Sequence, residues 1–384
     1  MSLYINMPNL IIDTLSEVYN ILKFAATGEF WDFSTHTIRS DSIYIIGRNQ
    51  FINNVSRIRE LAQRDDLTIV FDNSAEGSWT LVTQLHQLGV QDLVDQRKIL
   101  LIGGGDMPAD YPYIRYDHFI SCILDYDENL NIMQHSNEIF DNTHKPYSFL
   151  FLNGRARPHR KYLWERFKEL NILDSALWTM LDSRPSVRSV FELERNGVNI
   201  MATTTELRWL PREYEFDFFK DSTVIPGPAE RTFVKPELFK NLWGDIYLDI
   251  APYRDTYFSL VTETVFEYPH SFRTEKIAKP LAIAHPWIAV ANAGFYRDMR
   301  NLGFQTFNGI IDESFDNIDN SQDRLERIIA VVQDLVSSDL PAFLDACESV
   351  CKYNQQHLLQ MQQTVRAEFP QRFFEFIKHH HLIE

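Results

Sequence analysis

Apolar runs of strand length alternate with helical patterns over the first third of the chain, and this alternation limits the possible folds more than any other feature. Residues 42–47 (SIYIIG), 67–73 (LTIVFDN) and 98–105 (KILLIGGG) have the length and composition of buried strands. Apolar residues at helical spacing follow the first two of them. Strands joined by helices of this length form right-handed βαβ crossovers, which align the strands in parallel. The sequence therefore predicts an α/β fold with a doubly wound, Rossmann-like sheet.

The chain is long enough for two such domains, because 384 residues exceed what one hydrophobic core usually supports. A polar stretch, residues 128–146, shows no hydrophobic period and is interpreted as a linker. The strand that follows it, YSFLFLNG, begins a second sheet, and the end of the chain has helical patterns. We therefore expect an N-terminal domain over residues 1–145, a second domain over residues 146–340 and C-terminal helices over residues 341–384.

Charge and composition exclude several classes of protein. The formal net charge is −16 and the isoelectric point is near 5.2, which disfavours tight non-specific binding to nucleic acid or to anionic membranes. No run of 18 apolar residues is present, so no membrane span is expected. The N-terminus lacks the features of a signal peptide, and the three cysteines have no framework spacing. These features predict a cytoplasmic protein with reduced thiols.

Residues 257–307 carry the strongest indication of a binding site. An apolar strand ends at Glu263, and Thr274-Glu275-Lys276 begins an apolar helix that is followed by the strand WIAVA. The carboxyl ends of parallel strands form the crevice where open α/β sheets bind ligands, and a helix start adds N–H groups for anions. A nucleotide sugar needs an acceptor for ribose hydroxyls and a cation for its diphosphate. Carboxylates and a lysine at this edge supply both.

A cluster of basic residues follows the first strand of the second domain. The strand runs into Asn153, and six Arg or Lys residues accompany one Glu between Arg155 and Lys168. Guanidinium groups match diphosphate oxygens geometrically and stabilise a departing nucleoside diphosphate. Arg155 and Arg160 are the best candidates for that role. The same cluster could instead contact nucleic-acid phosphates, or form a solvated helix start.

The stretch with Glu263 resembles the donor-binding core of the α1,3-fucosyltransferases and related GT-B glycosyltransferases. The match comprises Tyr257–Thr264, then Thr274-Glu275-Lys276, then Pro286–Ala291, and covers about an eighth of the chain. Two features depart from the family pattern. The turn before the last strand is Ala284-His285-Pro286, and Thr264 stands where an Asn is expected.

The resemblance implies a fold, an activity and roles for particular residues. It implies two Rossmann-like domains that face a cleft and a C-terminal helix that crosses back. By their composition, the Pro-rich and aromatic-rich segments over residues 185–250 are expected to line such a cleft. The activity would be inverting, metal-independent transfer of a sugar from a nucleoside-diphosphate sugar to a hydroxyl, without a cofactor. Glu275, and Glu263 in a similar role, would accept ribose or sugar hydroxyls, Lys276 would contact phosphate, and Arg273 would be a further donor contact.

The catalytic base, the acceptor and the activity itself stay open at the level of sequence. A base that deprotonates the acceptor hydroxyl is expected in the first domain at a strand end, and the candidates are Asp72, Glu76 and Asp106, with Asp32 and His36 before the first of these strands. The acceptor could be a glycan of a bacterial surface or a modified base in phage DNA. Asp125-Tyr126-Asp127 resembles the metal motif of another glycosyltransferase class. The alternative to an enzyme is a non-catalytic module that binds a nucleotide or a glycan.

Overall fold

The chain forms an α/β structure with two parallel sheets. A computed structural model describes residues 9–124, 127–141, 144–153, 157–180, 248 and 250–380. The chain divides into two compact units, here called unit 1 (Met1–Ser121 with Met361–Glu384) and unit 2 (Cys122–Gln360). The division therefore falls at 121/122, not at the expected 145/146, because the stretch interpreted as a linker is helical and packs within unit 2.

Unit 1 is built on a six-stranded parallel sheet with the strand order β2-β1-β3-β4-β5-β6. Its strands are β1 (Asn9–Asp13), β2 (Gly28–Phe30), β3 (Ser42–Gly47), β4 (Leu67–Gly77), β5 (Ile99–Gly104) and β6 (Tyr113–Arg115). Its helices are α1 (Tyr19–Leu22), α2 (Arg48–Asn53), α3 (Val55–Leu61), α4 (Ser78–Leu88), α5 (Gln91–Asp95) and α6 (His118–Cys122). The three strands expected from the sequence are thus confirmed, and the short β1, β2 and β6 add to them.

Both faces of this sheet are covered, and this explains why its strands are continuous apolar runs. Alternate residues of β4 enter two separate hydrophobic clusters: Ile69 and Phe71 face one cluster, and Val70 faces the other. The second cluster also contains Phe369 and Phe373 from the C-terminal part of the chain. A strand that is buried on both faces has no solvent side, so its sequence does not alternate between apolar and polar residues.

Unit 2 contains a four-stranded parallel sheet with the order β10-β9-β7-β8. Its strands are β7 (Tyr147–Asn153), β8 (Ala176–Met180), β9 (Thr256–Thr262) and β10 (Trp287–Val290). The helices assigned after α6 are α7 (Asp127–Gln134), α8 (Glu138–Asp141), α9 (Pro158–Glu169), α10 (Ala251–Arg254), α11 (Glu275–Ala282), α12 (Phe295–Asn301), α13 (Ser321–Val336) and α14 (Leu340–His380). The predicted segments over residues 185–250 lie almost entirely outside the described residues.

The structure departs most from the sequence analysis over residues 128–146, which were predicted to be a linker. It contains α7 and α8, and Ile139 of α8 is completely buried. Lys145, at its end, donates hydrogen bonds from Nζ to the carbonyls of Ile139 (2.8 Å) and Arg254 (2.5 Å). These short helices are held by contacts with distant residues, so they need no hydrophobic period of their own.

The helical C-terminus expected from the sequence is confirmed. The helices expected over residues 341–384 are a single helix, α14, of 41 residues with Pro370 inside it, and α13 precedes it. The division between the units falls within α14, after Gln360. Within the described part of the chain, no helix combines the length and the apolar character that crossing a membrane requires.

Candidate functional site

The carboxyl ends of β7, β9 and β10 meet at one edge of the sheet in unit 2. The register pairs Val290 with Thr262, and Thr262 Oγ1 donates a hydrogen bond to Asn153 Oδ1 (2.7 Å). The Glu263 N–H bonds to the Val290 carbonyl (3.0 Å). Hydrogen bonds therefore hold the ends of these three strands together. This edge is where a ligand of a parallel sheet is expected.

Glu263 joins the end of β9 to the start of α11. Its side chain is completely buried, and Oε1 accepts from the Thr274 N–H (3.0 Å). Oε2 accepts from Thr274 Oγ1 (2.7 Å) and from the Thr264 N–H (3.1 Å). Burial raises the pKa of Glu263, although Lys276 and the bonds from Thr274 oppose this shift. The described contacts of Glu263 thus position Thr274.

Thr274 caps the helix that carries the Glu-Lys pair. Its hydroxyl accepts from the Lys276 N–H (3.2 Å), which satisfies one of the open N–H groups of α11. Lys276 Nζ donates to Glu275 and to Thr274 Oγ1 (3.3 Å). The side chains of Glu275 and Lys276 keep 16% and 23% of their surface exposed. Burial alone would raise the pKa of Glu275, but Lys276 and Lys279 together with a backbone hydrogen bond outweigh it, and the pKa is lowered. A charged, partly accessible pair therefore stands at this helix start.

Two side chains of α9, Arg160 and His159, hydrogen-bond to the main chain at the end of β9. Arg160 is buried, and its Nη2 donates to the carbonyls of Thr262 (2.7 Å) and Glu263 (3.3 Å). His159 Nε2 also bonds to the Glu263 carbonyl (3.1 Å), and burial next to Arg160 and Arg157 lowers the pKa of the imidazole. The imidazole is therefore neutral and donates through Nε2. The guanidinium of Arg160 was expected to contact phosphate directly, but its described bonds go to main-chain carbonyls.

The remaining predicted donor contacts occupy different environments. Asn153 is buried and accepts from Thr262, as described above. Arg273 directly precedes the capping Thr274 and is completely buried. Arg155 lies outside the described residues. The structure thus brings Asn153, Arg160, Glu263, Arg273, Glu275 and Lys276 to one edge, with Glu275 and Lys276 as the two partly exposed members.

The sequence analysis missed Arg324 of α13, whose side chain also lies at this edge. This buried guanidinium donates to the carbonyls of Ala291 (3.1 Å) and Phe266 (2.6 Å) and lies over the Phe266 ring. Burial lowers its pKa to about 10, so it remains charged at neutral pH. With Arg160 and Arg273 it places three buried cations behind the loops of this edge. A low-dielectric surrounding strengthens their attraction for an anion.

Asn292, directly after the strand WIAVA, was also missed. Its Nδ2 donates to Ser271 Oγ (3.0 Å) and to the Ala293 carbonyl (2.9 Å), and Ser271 Oγ in turn donates to Asp298 (2.6 Å). Swapping the amide would set its oxygen against the Ala293 carbonyl, so the orientation is fixed. Among the described residues, Oδ1 of this buried side chain has no partner. A search for polar residues after each predicted strand would have found it.

The predicted base Asp72 is an internal anchor of unit 1. The carboxylate is completely buried, and Oδ1 accepts from the N–H (3.1 Å) and hydroxyl (2.8 Å) of Ser74. Oδ2 accepts from Ser16 Oγ and from the Val18 N–H (3.3 Å). Both oxygens are therefore occupied by neighbours in unit 1. Glu17, which the sequence analysis did not consider, lies beside it: burial and the Asp72 charge raise the pKa of Glu17 to about 9.

The other base candidates in unit 1 are more accessible than Asp72. Glu76 is about one-third exposed and lies 4.0 Å from Arg48, and Asp106 is similarly exposed and pairs with Arg115 at 2.8 Å. Asp32 is bound by Ser34 (2.7 Å), which lowers its pKa. Burial lowers the pKa of His36. Accessibility therefore favours Glu76 and Asp106, and each of them already has an arginine partner.

The described residues contain no group of three or more His, Cys, Asp or Glu side chains placed to hold an ion. Asp125 and Tyr126 of the Asp-x-Asp motif lie outside the described residues. Comparisons of this chain with protein-family models, with curated proteins and with solved structures found no match.

Proposed function

We propose that this protein is a glycosyltransferase that binds a nucleoside-diphosphate sugar at the carboxyl edge of the sheet in unit 2. The observation that carries the proposal is the helix start at Thr274, where Glu275 and Lys276 form a charged and partly exposed pair. This pair stands at the edge where three parallel strands end. The resemblance to α1,3-fucosyltransferases rests on the same residues.

The phosphates would bind at Lys276 and the first turn of α11. Lys276 supplies a partly exposed ammonium group, and the helix start supplies N–H groups and the positive end of its dipole. Three buried arginines also lie at this edge: Arg160, Arg273 and Arg324. Each guanidinium carries a positive charge. Their fields favour an anion even though the described bonds of Arg160 and Arg324 go to main-chain carbonyls. This positive charge would stabilise the departing nucleoside diphosphate.

A hydroxyl group of the donor would bind at Glu275. Glu275 is ionised and partly exposed, so it can accept from a ribose or sugar hydroxyl in addition to Lys276. The Asn292 oxygen is a fixed acceptor without a described partner. A buried acceptor left unpaired costs about 1–3 kcal/mol, but this oxygen is shielded from solvent, so a ligand hydroxyl could reach it only if the surrounding residues moved. Glu263 acts indirectly in this proposal, because it positions Thr274.

The proposed reaction is a substitution at the anomeric carbon. The acceptor hydroxyl oxygen forms a bond to this carbon, the bond to the diphosphate oxygen breaks, and the nucleoside diphosphate leaves. A base takes the hydroxyl proton. Glu76 and Asp106 are the proposed bases, since both are partly exposed, whereas both oxygens of Asp72 are occupied. Inversion at the anomeric carbon follows from the resemblance.

A thermal-shift panel of GDP, UDP, ADP, CDP and TDP tests the donor site. A ligand that binds only the folded protein, present at about 100 times its dissociation constant, stabilises it by about 2.7 kcal/mol. We expect one base to raise the melting temperature without added metal, and this base would identify the donor class. The Lys276→Ala variant should lose that shift. The absence of a shift with every nucleotide would contradict the proposed donor site.

The second candidate function is a binding module without catalysis. It is favoured by the fact that Asp72, Glu76 and Asp106 each contact a hydrogen-bond donor or a cation within unit 1. A carboxylate engaged in this way is a weaker base. Hydrolysis of the donor distinguishes the two functions, because a transferase slowly transfers sugar to water and a binding module does not. Release of free sugar should be measured with the nucleotide sugar whose base shifts the melting temperature.

A further inference from the structure

An exposed indole lies at the carboxyl edge of the sheet in unit 1. Trp31 directly follows β2, and 66% of its surface is accessible. Leu15, which follows the neighbouring strand β1, is 49% exposed. The Thr14 N–H donates to the Phe30 carbonyl (3.1 Å), so these two apolar side chains follow strand ends that are bonded to each other. Tryptophan is mostly buried in folded proteins, and ligands of parallel sheets bind at this edge. The position of Trp31 therefore indicates a contact surface.

The main chain around Trp31 is fixed by side chains of two helices. Gln50 of α2 donates from Nε2 to the Trp31 carbonyl (2.9 Å) and accepts at Oε1 from the Phe33 N–H (3.1 Å). Arg57 of α3 donates to the carbonyls of Phe33 and Ser34, and its guanidinium lies over the buried Phe33 ring (5.1 Å). A ligand that contacts the indole therefore has little main chain to order, which lowers the entropic cost of binding.

Exposed polar groups accompany the indole. The carboxylate of Asp32 is exposed, and its Oδ1 accepts from the N–H (2.9 Å) and the hydroxyl (2.7 Å) of Ser34. The described contact of Oδ2 is a longer one, from Thr35 Oγ1 (3.4 Å). Ser34 and Thr35 are exposed as well. A ligand can therefore reach a carboxylate oxygen and two hydroxyl groups from solvent.

We propose that these five residues, here called the Trp31 surface (Leu15, Trp31, Asp32, Ser34 and Thr35), bind a carbohydrate. A sugar ring has an apolar C–H face and a rim of hydroxyl groups that both donate and accept hydrogen bonds. The flat indole packs against the C–H face. Asp32 Oδ2 accepts from a hydroxyl of the ring, and the Ser34 and Thr35 hydroxyls accept from or donate to its neighbours.

The charge beside the indole selects among the ligands that stack on aromatic rings. Nucleobases also stack on tryptophan, and their affinity depends on cations that neutralise the phosphates. Here the nearest exposed charge is the Asp32 carboxylate, and the formal net charge of the chain is −16. Both repel a phosphate backbone, whereas a neutral carbohydrate meets no such repulsion. If the protein is the proposed glycosyltransferase, on which this role rests, the bound carbohydrate is the acceptor.

Binding of free sugars to the full-length protein tests the Trp31 surface. Glucose, galactose, mannose, N-acetylglucosamine, lactose, maltose and cellobiose are each titrated by saturation-transfer NMR. We expect at least one of them to bind the wild type. Its dissociation constant should rise about tenfold in Trp31→Ala, or by about 1.4 kcal/mol, and less in Trp31→Phe, which keeps a ring. Phe24→Ala is the matched control, because Phe24 is 65% exposed in unit 1 but lies outside this loop. It should bind like the wild type.

Three results would overturn the proposal. The first is a wild-type protein that binds no sugar of the panel. The second is sugar binding that is equally strong in Trp31→Ala and Phe24→Ala. The third is binding of oligothymidylate or choline, lost in Trp31→Ala, without sugar binding, since this would show a nucleic-acid or a cation site. The donor site is tested separately by the nucleotide panel, whose melting shift Trp31→Ala should retain. A wild type that binds sugar but no nucleotide would contradict the proposed function and the acceptor role, and would support the sugar site.

Discussion

Lys276 is the single residue on which the proposed phosphate site depends most. Its ammonium group is held by Glu275 and by Thr274 Oγ1 at a helix start, and it is still partly exposed. The three buried arginines nearby are fixed by the fold, and the described bonds of two of them go to main-chain carbonyls. Lys276 is therefore more accessible to a ligand than these three arginines.

Replacing Lys276 by alanine should weaken nucleoside diphosphate binding without unfolding the protein. We expect a loss of about 1.5–3 kcal/mol, the range for hydrogen bonds to charged groups. Calorimetric titration with the nucleotide found in the thermal-shift panel measures this loss. Lys352→Ala is the matched control, because Lys352 lies in unit 2 but pairs with Glu348 on α14. Equal affinity in both variants and the wild type would contradict the assigned role of Lys276.

Glu17 is the residue whose protonation should control the pH dependence of stability. Burial and the neighbouring Asp72 and Asp13 raise its pKa to about 9 in the folded protein, from an ordinary value of 4.5. The folded state therefore holds this proton more tightly than the unfolded state. The free energy of unfolding should fall as the pH rises from about 4.5 to about 9, and level off above that value.

The Glu17→Gln variant should lack most of this decline, since its side chain is neutral at every pH. Urea denaturation across this pH window measures the effect. Glu60→Gln changes an exposed carboxylate of α3 and should decline with pH as the wild type does. A decline of the same size in Glu17→Gln would show that Glu17 is not the group responsible. Asp13, whose pKa burial also raises, would then be the next candidate.

Among the elements, α11 and the turns around it build the site. Thr274 begins the helix, and Glu263 holds Thr274 from the end of β9. The turn at its other end contains Ala284 in a left-handed conformation (φ 56°) and the buried His285. Burial lowers the pKa of His285 to about 3, and its ring bonds to Ser259 Oγ (2.9 Å) and the Thr256 carbonyl (3.0 Å). Both ends of α11 are thus anchored to β9.

The Thr274→Ala variant should destabilise the start of α11. It removes the cap of the Lys276 N–H and one bond to the buried Glu263, and loss of a helix cap typically costs about 1 kcal/mol. Thr274→Ser keeps the hydroxyl and should be close to the wild type. Chemical denaturation gives the stabilities, and nucleotide titration shows whether affinity falls as well. A Thr274→Ala protein as stable as Thr274→Ser would exclude the capping role.

At the scale of the whole molecule, the positive charge of the proposed donor site comes from the chain itself. Lys276, the three buried arginines and the dipole of α11 supply it. We therefore expect transfer or donor hydrolysis to continue at an unchanged rate after EDTA treatment. Activity that is lost with EDTA and restored by Mn²⁺ would instead favour a role for Asp125 and Asp127. The Asp125→Asn variant would then be tested under the same conditions.

The sequence by itself determined the two parallel sheets and the helix start at Thr274-Glu275-Lys276, because apolar runs and caps are local patterns. Only the tertiary structure decided that Arg160 bonds to carbonyls near Glu263, that Glu17 shares its surroundings with Asp72, and that Asn292 keeps an acceptor without a described partner. It also decided where the two units divide. These properties depend on distances between residues that lie far apart in the chain, and burial then changes the charge and the hydrogen bonding of each side chain.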